Sequence, residues 1–327
     1  MNNVITDVEG VLVGHATDLE GVTGCTVVRF EKKAVGGGFL PGMASGTRSA
    51  DLFRSIHLRD EVHAYFLCGG SAFGLDATGG VMKYLEERGV GFDVSCTRIP
   101  RVPSAVIFDL PLGDCVRRPD STMGYQACAN ASGGPVEHGS VGVGTGATVG
   151  KFYGLNRAMK GGVGSACLEG PCGRVGALVV VNSFGDVVDY DTGEPLAGLR
   201  DESGKRMIST AREMKTKKIT KGFDFGFREE QNTALAVIAV DAMLIKPELN
   251  IISLMAQRGL VKTIDPIHTT FDGDVIFAAS LGNYTGEVDL NLIGLLAEEA
   301  LGRAVNDAIR SAKGLAGIPS YGDLKGM

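Results

Sequence analysis

An Asn-Thr junction, Asn232-Thr233, divides a polar, charged stretch from an abruptly apolar run. Upstream, residues 220–231 combine Lys, Asp, Arg, Glu and Gly in the manner of a wet loop. Downstream, residues 233–242 read as a buried strand, apolar except at Thr233 and Asp241. A chain cut at this junction begins with Thr233. A free N-terminal Thr carries nucleophile and base in one residue, because its own α-amine can take the hydroxyl proton. That is amide-cleaving chemistry. The plain alternative is a strand entered from a surface loop, with Asn232 serving the turn.

Other chemistries find less support. His15, His57, His63, His138 and His268 lie far apart without metal-ligand spacing, and no Gly-x-Ser-x-Gly elbow is present. The seven cysteines form no Cys-x-x-Cys pair, and each reads as a small buried residue rather than a nucleophile. Gly142-Val143-Gly144-Thr145-Gly146 lacks the Gly-x-Gly-x-x-Gly spacing, and no Gly-x-x-x-x-Gly-Lys-Ser/Thr occurs. Gly69-Gly70-Ser71 opens a helix and could hold an anion on free amides, without the other parts of a nucleotide site. Neither a metal nor an organic cofactor is expected.

Several elements must position the junction. Strand-like segments are expected at 11–15, 26–30, 64–68, 105–110, 176–182 and 275–280, with residues 36–38 contributing a glycine-rich piece. Helices are expected at 72–88, capped by Gly89, at 121–131, at 248–258 and at 289–313, with a short one near Ser49 to Phe53. The continuous apolar run at 176–182 suits a central strand. Residues 201–231, rich in Lys, Arg, Glu and Thr, read as a linker. Strands and helices alternate irregularly and no repeat is evident, so a layered α/β sandwich is favoured over a (β/α)₈ barrel.

The chain has 327 residues, of which 44% are apolar, enough for a sizeable core. A net charge of −6 with scattered Lys and Arg argues against nucleic acid as a partner. The first residues carry no basic segment followed by an apolar one, and no apolar run reaches membrane-spanning length. Together with dispersed, odd-numbered cysteines this predicts a soluble cytoplasmic protein. Glycine, at 48 residues, is the compositional outlier; its clustering suggests tight turns around a site built from main chain.

Residues 67–77 (Leu67-Cys68-Gly69-Gly70-Ser71-Ala72-Phe73-Gly74 onward), Val106 to Leu110, Gly142 to Lys151 and Lys160 to Ser165 together resemble the DmpA-type aminopeptidases, in family order over about residues 10–302. That family includes L-aminopeptidase/D-esterases, β-peptidyl aminopeptidases and nylon-oligomer hydrolases. The resemblance implies an αββα sandwich of N-terminal-nucleophile type, related to the ornithine acetyltransferases. It also implies a precursor that cuts itself before Thr233 into fragments 1–232 and 233–327, which stay together as one catalytic domain and assemble into tetramers of αβ units. The Asn-Thr pair, where the D-aminopeptidase branch has Gly-Ser, looks like the nylon-oligomer branch.

The same resemblance assigns roles. Thr233 is the expected nucleophile, attacking the carbonyl of Asn232 in the precursor; its amine, near pKa 8 when unperturbed, suits a base at neutral pH. Lys151 matches the family's active-site lysine, and its charge would favour the neutral amine. Its plain reading is an exposed lysine after a turn. Asn182 matches a site asparagine whose amide could stabilise an oxyanion, although Asn182-Ser183-Phe184-Gly185 is also good turn sequence. Asp272 and Asp274 match an acidic pair that would orient Thr233; alone, Asp-Gly-Asp is a turn or an exposed cation site. Phe108 stands where the nylon branch has a Tyr, so no hydroxyl is available there. Asp109 is a candidate for holding a substrate's free amine.

The expected activity is hydrolysis of linear amide bonds in short peptides, amino-acid amides or esters, or 6-aminohexanoate oligomers. Two alternatives stay open: an acyltransferase of related fold, and a non-catalytic small-molecule or anion-binding protein using the glycine-rich loops.

Overall fold

The structure is a computed structural model describing residues 2–216 and 232–325. Eight strands line up in the order Gly162–Gly170, Gly173–Asn182, Thr233–Ala242, Val275–Tyr284, Thr23–Phe39, Glu61–Cys68, Ser104–Val106 and Gly46–Arg48, and a ninth, Val11–Asp18, pairs beside Thr23–Phe39. The long strand Thr23–Phe39 links two halves. Its first part pairs with Glu61–Cys68 and its last part, from Val35 to Phe39, with Val275–Tyr284, across a register irregularity between Arg29 and Ala34. Sequence reading assigned only 26–30 and the glycines at 36–38 to strand; the polar Glu31-Lys32-Lys33 that separates them sits at this irregularity.

Among the described residues, side-chain alternation then defines three large cores. Leu178, Val180, Leu235, Val237 and Phe277 from one half meet Val13, Val28, Tyr65 and Leu67 from the other in an inner core. On the outer face of the first half, Val179, Ala236, Ile238 and Ala278 pack against the helices Lys246–Thr263 and Leu290–Arg310. On the outer face of the second, Cys25, Val27 and Phe66 pack against Thr78–Glu86 and Ser121–Ala129. The layers are therefore helix, sheet, sheet, helix.

The expected helix over 72–88 begins as a 3₁₀ turn, Ser71–Ala77, and becomes α-helical only from Thr78. The strand expected at 105–110 stops at Val106. Residues 201–231 are not a plain linker: Thr210–Thr216 is helical, and Asp186 anchors its start by accepting from the Thr210 amide and hydroxyl at 2.6 and 2.7 Å. The remainder, residues 217–231, lies outside the described residues. Among the described residues no helix is long and apolar enough to cross a membrane.

Candidate active site

Strand register alone brings the junction between two of the predicted groups. Thr233–Ala242 runs antiparallel to Gly173–Asn182, with Asn182 opposite Thr233, and parallel to Val275–Tyr284, with Asn232 bridging to Asp272. Asn232 and Thr233 are 1% and 2% exposed. Leu235 and Val237 face the inner core, as do Leu178 and Val180 on the neighbour, so by alternation Thr233 and Asn182 lie on that same face at its edge. Both residues of the junction are therefore buried where the described strand begins.

Lys151 comes to this edge through its loop. The amides of Gly150 and Lys151 donate to the carbonyls of Gly185 and Phe184, both at 3.1 Å, so the turn after Asn182 carries the lysine back to it. Lys151 is buried, not exposed: its Nζ donates to Asn182 Oδ1 at 2.8 Å, Asn182 O at 3.0 Å and Thr148 O at 3.1 Å. Asn182 Oδ1 also accepts from the Thr148 amide at 3.0 Å, and two donors on one atom fix which way the side-chain amide points. Its Nδ2 consequently donates to the Phe108 carbonyl at 3.3 Å.

The acidic pair flanks the other side. Asp274 Oδ1 accepts from the amide of Ala234, one residue past Thr233, at 2.6 Å, and its Oδ2 lies 2.7 Å from His268 Nδ1. Asp272 Oδ2 accepts from the Thr269 amide and hydroxyl at 2.8 and 2.7 Å. Burial, and next the charge of Asp274, push the Asp272 carboxyl up to about 6, and the Thr269 hydrogen bonds limit the rise. Between the two carboxylates, the Gly273 amide donates to the carbonyl oxygen of Asn232 at 2.6 Å. Among the described residues no group of His, Cys, Asp and Glu could hold a metal ion.

A family model, Peptidase family S58, matches residues 3–320. The chain belongs to this family. Membership in S58 carries amide-bond hydrolysis with it. An uncharacterized aminopeptidase of Mycobacterium tuberculosis is 38% identical over 345 residues, covering 98% of each chain. A 6-aminohexanoate-oligomer endohydrolase of a Kocuria species is 28% identical over 324 residues, covering 93% of this chain and 85% of that one. Among solved structures, an L-aminopeptidase D-Ala-esterase/amidase from Ochrobactrum anthropi, described as a variant of the Ntn hydrolase fold, superposes with a TM-score of 0.68 at 18% identity, over 95% of this chain and 86% of that one. The S58 chain described here thus has the αββα, N-terminal-nucleophile-like fold.

Three further motif residues, Asp109, Phe108 and Lys160, stand beside this edge. Asp109 spends both oxygens internally, Oδ1 accepting from the Gly70 amide and Oδ2 from Thr23 Oγ1, each at 2.7 Å. Burial pushes its carboxyl up to about 6 against those hydrogen bonds, so its described contacts are those of a clamp on the Gly69-Gly70 turn. Phe108 and Asp109 line a cavity of about 10 Å³ with Pro111, Leu112, Thr148, Lys151 and Leu155, room for roughly one water. Lys160, part of the glycine-rich motif, is fully buried and donates to the Thr145 carbonyl at 2.7 Å; burial pulls its ammonium down to about 7.

Sequence reasoning missed His268, Thr269 and the Gly273 amide. The two side chains stand within six residues of Asp274, and a search for partners of the acidic pair among its near neighbours would have found them. The amide carries no sequence signal, since every residue but proline has one.

Proposed function

We propose that this chain is a self-processing amide hydrolase that cuts itself between Asn232 and Thr233 and then uses Thr233 as its nucleophile. The observation that carries the reading is the buried junction held between Lys151-Asn182 on one side and Asp272-Asp274 on the other. Cleavage frees the Thr233 amine between these groups. The amine accepts the hydroxyl proton as Thr233 Oγ1 attacks a substrate carbonyl, and an acyl ester forms while the leaving amine departs with a proton. Water then hydrolyses the ester. The Lys151 ammonium disfavours a second positive charge nearby and so favours the neutral, basic amine. Asp274, through Ala234, holds the strand end that presents Thr233.

Short peptides and amino-acid amides fit best as substrates. The identity to the aminopeptidase exceeds that to the oligomer endohydrolase, and Phe108 offers no hydroxyl to a substrate. Tetramers of two-fragment units in the cytoplasm, working without a cofactor, complete the reading.

Intact mass and N-terminal sequencing of the purified protein, with Thr233→Ala beside it, test the proposal. A fragment beginning at Thr233 in the wild type alone, together with release of amine from amino-acid p-nitroanilides and short peptides, is the expected result. An uncut chain in both, or equal turnover by Thr233→Ala, overturns it. Acyl transfer to added hydroxylamine in place of hydrolysis would move the protein to the acyltransferases.

A further inference from the structure

Self-cleavage must stabilise negative charge on the carbonyl oxygen of Asn232, and the donor that the described hydrogen bonds place on that oxygen is a backbone amide rather than the side chain of Asn182. Asn182 Nδ2 donates to Phe108, and the carbonyl oxygen of Asn232 instead receives the backbone N–H of Gly273 at 2.6 Å. We infer that the Gly273 amide is the oxyanion donor of chain self-cleavage. The inference rests on the proposed cut before Thr233 and adds the group that activates its scissile carbonyl.

Thr233 Oγ1 bonds to the Asn232 carbonyl carbon, the π electrons move to oxygen against the Gly273 N–H, and the hydroxyl proton passes to the Thr233 nitrogen. Collapse breaks the Asn232–Thr233 C–N bond and leaves Asn232 as an ester on Oγ1. Water hydrolyses that ester to the Asn232 carboxylate and a free Thr233. A donor aimed beforehand at the developing charge acts without reorganisation.

Two features make this bond more than the first rung of a ladder. Gly273 sits between two buried carboxylates, whose negative charge would oppose an oxyanion unless a donor intervened. The turn is also clamped from behind. Gly42 donates to Asp274 O at 3.1 Å and Ala44 donates to Asp272 O at 3.0 Å, so a separate loop holds the peptide on either side of Gly273. That loop approaches so closely that a Cβ on Gly42 would stand 2.0 Å from the Asp274 nitrogen. The amide is thereby fixed in direction.

Replacing Gly273 by glycolic acid through nonsense suppression exchanges its N–H for an ester oxygen while keeping the shape. Precursor disappearance, followed on a denaturing gel, should slow on the order of 10²–10³-fold, the range for loss of one oxyanion donor. The control is the same exchange at Gly36, whose amide also bonds across segments, to Asp60 O at 2.7 Å, far from the junction; cleavage there should keep its wild-type rate. As a second arm, Gly42→Ala should displace the clamp and slow cleavage with the N–H still present. Equal cleavage rates for the Gly273 ester and the wild type overturn the inference while leaving the nucleophile intact. A wild type that never cuts removes both.

Discussion

Four residues past Asn182, Asp186 shows how burial sets the response of this protein to pH. Its carboxylate accepts from the Leu199 amide and from both Thr210 donors, yet burial outweighs these bonds and pushes its carboxyl up to about 6. A carboxyl with a folded value above its unfolded one binds protons more tightly when folded. Its contribution is fully present below about pH 4 and is lost as pH rises through about 6. Asp109 and Asp272, pushed up to about 6 as well, act with the same sign. Burial lowers His15 to about 4 and also lowers His63, and these two act with the opposite sign, so the decisive comparison in the Thr233→Ala background is between variants. From pH 4 to pH 7 Asp186→Asn should lose about 1–3 kcal/mol less stability than its parent, read from urea midpoints. Parallel pH profiles for the two chains would show that Asp186 titrates normally. None of this was legible in sequence, because the burial that drives it is absent from the local pattern; Lys151, read plainly as a surface lysine, fails for the same reason.

Among the elements, the bent strand Thr23–Phe39 has the most demanding fit. Where it crosses toward Val275–Tyr284 it passes beneath the Lys246–Thr263 helix, and a Cβ at Gly37 would lie 2.5 Å from Leu249 Cβ. Gly37→Val should push helix from sheet and cost about 1–3 kcal/mol in the urea or thermal midpoint, the usual penalty for overpacking. Gly79 provides the contrast: it lies in the Thr78–Glu86 helix with nothing within 4 Å of an added Cβ. Gly79→Ala should stabilise by about 0.5–1 kcal/mol. Similar midpoint changes for the two variants would mean that the close approach of helix and sheet has no energetic weight. Sequence reading places Gly37 in a strand-like segment and Gly79 in a helix, since the flanking patterns are local. The 17-residue continuity was hidden by the polar Glu31-Lys32-Lys33 at the irregularity.

For the whole molecule, the proposed cut removes one covalent link and no sheet partner. Thr233–Ala242 lies between Gly173–Asn182 and Val275–Tyr284, and Val275–Tyr284 in turn pairs with Thr23–Phe39. The strands after the junction are thus interior strands of a sheet built largely from residues before it. Their side chains enter both the inner core and the outer helix-covered core. After cleavage the two fragments should co-elute in size-exclusion chromatography and separate only at denaturant concentrations that unfold the protein. Separate elution in native buffer would mean that the ladder and cores on the two sides of the junction contribute too little to hold them.

Local periodicity determined most of the helices and central strands, and short glycine-rich motifs in a characteristic order determined the family. Both are carried by neighbouring residues, and a sequence displays neighbours directly. The change from polar to apolar at Asn232-Thr233 marked the candidate nucleophile for the same reason. Only tertiary structure decided what surrounds it. Antiparallel register set Asn182 opposite Thr233, parallel register set Asp272 beside Asn232, and a remote loop fixed the Gly273 amide on the carbonyl oxygen. These relations depend on hydrogen bonds between segments dozens to hundreds of residues apart, and on backbone groups that look alike in every sequence.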